Sequence, residues 1–173
     1  TYGVGMVGGR RAFAVNWLGV GYFSRHWDKT NVFQMVLIDR SDRAPGDFDI
    51  EFNYAQVQWE TGDASMGTNG LGGMSARAGF SNGTGAPGSF YEFEGSGVNG
   101  AFLDTSPTGL THSSRRSRIP GRYVFTVRAG AVDVFSRGAP IHVEDGCIFD
   151  GWDPPDPDAV IDPNNVPIPW APE

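Results

Sequence analysis

"GDFDIEFNYAQVQWETGDASMGTNGLGG", residues 46–73, decides how this chain is read. Its first half alternates. Phe48, Ile50, Phe52 and Tyr54 point one way and Asp49, Glu51 and Asn53 the other, the period of two of a strand with one buried and one wet face. Its second half abandons that pattern after Trp59 for Gly62, Gly67, Gly70, Gly72 and Gly73. Such a run serves as a phosphate cradle, a metal loop or a turn system between strands. Gly62 and Gly67 copy the spacing of a phosphate-binding loop, but Thr68 stands where that loop needs a lysine. Without that lysine the β- and γ-phosphates lose their countercharge, so nucleotide hydrolysis is excluded. The turn reading remains: Thr61, Gly62 and Asp63 bond side chain to backbone, and the glycines permit positive φ before the chain re-enters a sheet near residues 76–80.

The same alternation recurs outward from this stretch. "RYVFTVR" sets Tyr123, Phe125 and Val127 against Val124 and Thr126, and "FQMVLID" (33–39) is apolar on both faces after Gln34, as in a central strand. "RAFAVNW" (11–17), "RAGF" (77–80), "FYEF" (90–93) and "AVDVF" (131–135) complete about seven strands, with Ala129-Gly130 as a tight hairpin between the last two. No window keeps helical spacing for three turns without a glycine or proline, and residues 105–117, broken by Pro107 and Gly109, read as loop. The expected fold class is all-β: an antiparallel β-sandwich with long glycine-rich loops, spanning residues 1–138, followed by an extended C-terminal arm, 139–173.

Charge narrows the partners. Asp150, Asp153, Asp156, Asp158, Asp162 and Glu173 carry most of the net charge of −7, and no lysine or arginine lies among them. The remainder is nearly neutral with no basic face, since Arg115, Arg116 and Arg118 read as a solvated loop; nucleic acid is not an expected partner. The longest apolar runs, such as Met35 to Ile38, are four residues and far too short to span a membrane. Cys147 is the lone cysteine, either buried or an intermolecular thiol. The chain opens on Thr1, as a processed precursor or a trimmed stretch both do.

Catalytic and ligand motifs are sparse. Three segments fit the dinucleotide fingerprint (Gly3-Gly5-Gly8, Gly83-Gly85-Gly88 and Gly95-Gly97-Gly100), but none precedes a helical run to receive a pyrophosphate, so no organic cofactor is expected. His26, His112 and His142 lack zinc spacing, and Ser24, His26 and Asp28 lack a nucleophile elbow. Glu51, Glu60, Asp63 and Glu92 are glycosidase-type carboxylates by residue type alone. Asp39, Asp42, Asp47 and Asp49 crowd one connection, the hard oxygen donors that calcium takes. Asn82-Gly83-Thr84 is a glycan acceptor triplet on a turn. Trp27, Trp59 and Tyr91 are candidates for stacking on sugar rings, or else core.

From Asp153 the chain carries seven of its twelve prolines, which fix φ and donate no ladder hydrogen bond. Yet Val160, Ile161, Val166, Ile168 and Trp170 are too apolar for a plain spacer, and they read as an arm that docks elsewhere.

Taken in order, "NVFQMVLIDRSD", "GDFDIEFNYAQVQWETGDASMGTNGLGG", "ARAGFSNGTG", "GSFYEFEGSGVNGAFLD" and "PGRYVFTVR" resemble the nidogen-like (NIDO) domain, found in nidogen, alpha-tectorin, membrane mucins and secreted bacterial proteins. The likeness runs from about Tyr2 to Arg128 and departs at Met66, where the pattern has glycine after "GDAS". The resemblance implies an extracellular structural or adhesive role with no catalytic residues to carry over. It also implies strands upstream of Thr1, whose place is filled by the cleaved remainder of a precursor or by another copy. The expected partner is thus the chain itself, as a homo-oligomer or polymer built by strand or arm exchange, with 160–170 or 139–149 as the donated segment. The alternative is a carbohydrate- or calcium-dependent binding module.

Overall fold

A computed structural model describes residues 1–132. Among these residues eight strands form: β1 (Tyr2–Val7), β2 (Arg10–Tyr22), β3 (His26–Asp39), β4 (Phe48–Val57), β5 (Gly79–Ser81), β6 (Phe90–Glu92), β7 (Arg122–Arg128) and β8 (Ala131–Val132). Six of them make one antiparallel sheet in the order β1-β2-β3-β4-β7-β8, while β5 and β6 pair as a separate ribbon. The all-β antiparallel expectation holds, and β3 is central as its two apolar faces require. Ala129 (φ 50°) and Gly130 (φ 77°) turn the β7–β8 hairpin, both in the left-handed region that such a turn demands.

Three details differ from the sequence reading. Strands β2 and β3 run well beyond the apolar cores that mark them, as a long hairpin whose register shifts twice between Trp17 and Tyr22. The glycine run holds a single 3-10 turn, Asp63–Ser65. Strand β1 is an addition to the expected set, because Gly3 and Gly5 leave only half of its alternation visible.

Antiparallel registry fixes which side chains share a face. Val4 lies opposite Phe13, Phe13 opposite Leu37, Leu37 opposite Ile50 and Ile50 opposite Phe125, so one row crosses five strands. At the β4–β7 end this face is covered by β5, β6 and the loops around them. Phe93, Phe102 and Leu110 pack there against Ile50, Tyr123, Phe125 and Val127, with Phe52, Phe80 and Tyr91 at the margin. The rings meet edge to face; Phe93 and Tyr123 stand 4.8 Å apart at 86°.

The opposite face corrects the wet-face assignment of Asp49, Glu51 and Asn53: all three are buried. Glu51 and Asn53 bond to each other and to neighbours across strands, with Asn53 Oδ1 left without a partner among the described residues. Gln34 Nε2 donates to Asn16 Oδ1 (2.7 Å), Asn53 Nδ2 donates to Gln34 Oε1 and to Glu51 Oε1 (both 2.9 Å), and Arg122 Nη2 donates to Glu51 Oε2 (2.7 Å). Ala12, Ala14, Val36 and Ile38 form a small apolar cluster beside this polar ladder.

Candidate functional site

The glycine run is a closed structural loop built around Glu60. This buried carboxylate accepts from Ser75 Oγ and Gly100 N through Oε2 (both 2.7 Å) and from Phe102 N through Oε1 (2.6 Å). One side chain thereby ties the loop to a segment forty residues further on, and its lone pairs face protein donors rather than a substrate. Gly73 (φ 55°) lets the chain pass so closely that a Cβ there would stand 2.2 Å from the Ser65 carbonyl oxygen. Met66, the departure from the family pattern, caps the 3-10 turn at φ 63°, a left-handed conformation that explains why glycine suits the position.

The remaining carboxylates are individually engaged. Glu51 pairs with Arg122, Glu92 with Arg77 and Asp63 with His26 Nε2 at 2.9 Å. His26 thus bonds Asp63 rather than Asp28, and its ring stacks on Tyr22. Asp28 instead accepts from the Tyr22 hydroxyl (3.0 Å) and Lys29 Nζ (3.2 Å), and that hydroxyl is the main reason its carboxyl lies below the usual range. Among the described residues no three of Glu51, Glu60, Asp63 and Glu92 come together.

The four candidate calcium ligands are engaged in the same way. Asp39 accepts from Ser41 N (2.8 Å) and Ser41 Oγ (3.0 Å). Asp42 takes Arg40 Nε (2.9 Å) and Arg10 Nε (3.3 Å), and the Arg40 hydrogen bond holds its carboxyl below the ordinary value. Asp47 caps Ala129 N, and Asp49 lies between Arg40 and Arg128. Among the described residues no group of three His, Cys, Asp or Glu side chains is placed to share an ion.

Asn82 is exposed on the β5–β6 connection, its Oδ1 accepting from Thr84 N (3.0 Å) and Thr84 Oγ1 (2.7 Å). Of the three aromatic candidates, Tyr91 is half-buried at the margin of the core, packed on Phe80, Phe93 and Phe125. Trp59 anchors the loop by donating from Nε1 to the Val20 carbonyl (2.8 Å), and Trp27 alone projects, 70% exposed. Cys147 and the arm residues Val160, Ile161, Val166, Ile168 and Trp170 lie outside the described residues.

What sequence reasoning missed is that β1 forms the open end of the sheet. Along the single row crossing five strands, exposure falls from 66% at Val4 and 36% at Phe13 to 6% at Ile50 and 0% at Phe125. Tyr2 and Met6 flank Val4 on the same face and are also exposed, with the Tyr2 and Phe13 rings 6.2 Å apart. A shallow groove lined by Val4, Met6, Arg11, Phe13, Leu37 and Phe48 runs across this end. The available signal was the alternation in "YGVGMV", with large side chains at every second position.

The nidogen-like domain profile matches residues 4–129. The chain belongs to the nidogen-like domain family. Chicken (Gallus gallus) alpha-tectorin is 32% identical over 124 residues, and human (Homo sapiens) alpha-tectorin 30% over 125; each alignment covers 70% of this chain. The chain spans only 5% of the length of these relatives. No solved structure matches it significantly. The nidogen-like domain and these relatives point to an extracellular, matrix-type module. Among the described residues no helix is long and apolar enough to cross a membrane.

Proposed function

We propose that this nidogen-like domain is a secreted, non-catalytic building unit that joins copies of itself through its C-terminal arm. The observation that carries the reading is the uncovered apolar end of the main sheet. A row of large side chains that is core at β7 lies bare at β1, and bare apolar surface of this kind marks a place where protein docks. The individually engaged carboxylates favour a structural over a hydrolytic role, and the arm's Val160, Ile161, Val166, Ile168 and Trp170 supply apolar groups to dock. Deleting residues 153–173 should convert an assembling protein into a soluble monomer of unchanged fold, measured by light scattering after size exclusion and by circular dichroism. Assembly that persists without the arm overturns the reading.

A second reading rests on Trp27, whose exposed ring offers a stacking platform for a sugar. A glycan array run with and without chelator separates the two, because a purely structural unit ignores both the array and the chelator.

A further inference from the structure

We infer that the outer edge of β1 is the acceptor for the arm, and that residues 166–170 add to it as a further strand supplied by a neighbouring copy. The acceptor follows from geometry; the choice of a neighbouring copy rests on the self-association reading above.

Thr1 and Asn16 exchange both backbone bonds: the Thr1 ammonium donates to the Asn16 carbonyl (2.7 Å) and Asn16 N to the Thr1 carbonyl (2.6 Å). In an antiparallel ladder such closed pairs alternate with open ones. Registry then makes Gly3–Ala14 and Gly5–Ala12 closed pairs as well. The N–H and C=O groups of Tyr2, Val4 and Met6 therefore point away from β2, toward the outer edge, where no described strand pairs with them. These same three residues carry the exposed side chains of the apolar row. One edge thus offers three backbone positions and an adjoining apolar groove together.

The arm matches it in period. In "VPIPW", Val166, Ile168 and Trp170 alternate with Pro167 and Pro169. In an extended strand, residues two apart send their side chains to one face and their backbone polar groups to one edge. Val166, Ile168 and Trp170 can then pair with β1 while their side chains lie beside Tyr2, Val4 and Met6 on the apolar face and extend its row outward. The prolines fall on the other edge, where their missing N–H costs nothing and blocks a further strand from adding. Reach is not limiting. Six strands span about 24 Å edge to edge, and the 33 residues from 133 to 165 extend to about 110 Å.

The test uses the full chain with Cys147→Ser, so that the only thiols are those introduced. Val4→Cys combined with Ile168→Cys is oxidised and resolved on a non-reducing gel, with the linked peptides identified by mass. The expected result is an interchain disulfide formed at least tenfold more than with Val98→Cys, an exposed loop position, in place of Val4→Cys. Circular dichroism checks that the fold is retained, which the exposure of Val4 favours. A disulfide formed only within one chain supports the acceptor edge and overturns the exchange between copies. Absence of any disulfide between the thiols introduced at positions 4 and 168 overturns the acceptor edge, while the arm-deletion experiment still judges self-association on its own. A dimer from Val4→Cys alone shows β1 edges pairing with each other and overturns the arm as occupant.

Discussion

Phe125 and Val4 occupy the two ends of one row of side chains on one face of one sheet, yet the first has no exposed surface and the second is two-thirds bare. Both sit on regular antiparallel strands with large neighbours in register, so strand geometry does not separate them. The difference is the layer above. Over β4 and β7 the chain lays down Phe93, Phe102 and Leu110, carried on loops that Glu60 and Asp104 hold in place. Over β1 and β2 the described residues lay down nothing comparable. An apolar strand face is therefore only an offer of burial. Whether it becomes core or interface depends on whether another segment arrives to cover it.

The comparison sets a ranking of effects. Phe125→Ala removes a ring packed by Phe80, Tyr91 and Phe93 and should cost about 3–5 kcal/mol in denaturant unfolding. A loss below about 1 kcal/mol would show that the covered end is loosely packed and break the contrast. Glu60→Gln keeps the shape but weakens the bonds to Ser75, Gly100 and Phe102, with a loss of about 2 kcal/mol expected. Proteolysis within residues 96–102 should rise in parallel, since those bonds hold the covering loop.

Titration probes the same asymmetry. Burial raises the Tyr123 hydroxyl above its ordinary value despite its bond with Ser113. The folded state then keeps the proton longer than the unfolded chain, so this stability is complete below about pH 10 and lost as pH rises beyond it. Asp42 shifts the other way: its carboxyl is held low chiefly by Arg40. Its contribution is present above about pH 4 and fades as pH falls through the depressed value. Unfolding followed against pH should therefore show alkaline loss from the aromatic core and acid loss from the arginine-paired loop. Tyr123→Phe should remove part of the alkaline limb and leave the acid limb in place.

The smallest expected effect is the most diagnostic. Val4→Ser should change the stability of the isolated unit by no more than about 0.5 kcal/mol while abolishing arm-dependent association in light scattering. A stability loss approaching that of Phe125→Ala would mean that the open end is covered within the folded unit, and the two ends would then be alike.

Strands β3, β4 and β7 were legible because a period of two is a local property, written in consecutive residues and independent of what lies opposite. The turn character of the glycine run was legible for a similar reason, as was the Ala129-Gly130 hairpin, since positive φ is a demand of the backbone itself. The true edge was not: Gly3 and Gly5 contribute no side chains to β1, and the pattern there carries half the usual signal. Nor was the burial of Asp49, Glu51 and Asn53, whose polarity on a lone strand argues for water. Gln34 and Arg122 bond Asn53 and Glu51, and Arg40 and Arg128 bond Asp49, only once β3 and β7 lie alongside. Glu60 carries the same lesson, because an acid beside a glycine run becomes a loop anchor only when Gly100 and Phe102 come within 3 Å. Strands, turns and family membership could thus be read from the order of residues, since each rests on near neighbours along the chain. Which polar groups are satisfied and which apolar row is left bare emerged only on folding, because satisfaction and cover both depend on residues distant in sequence.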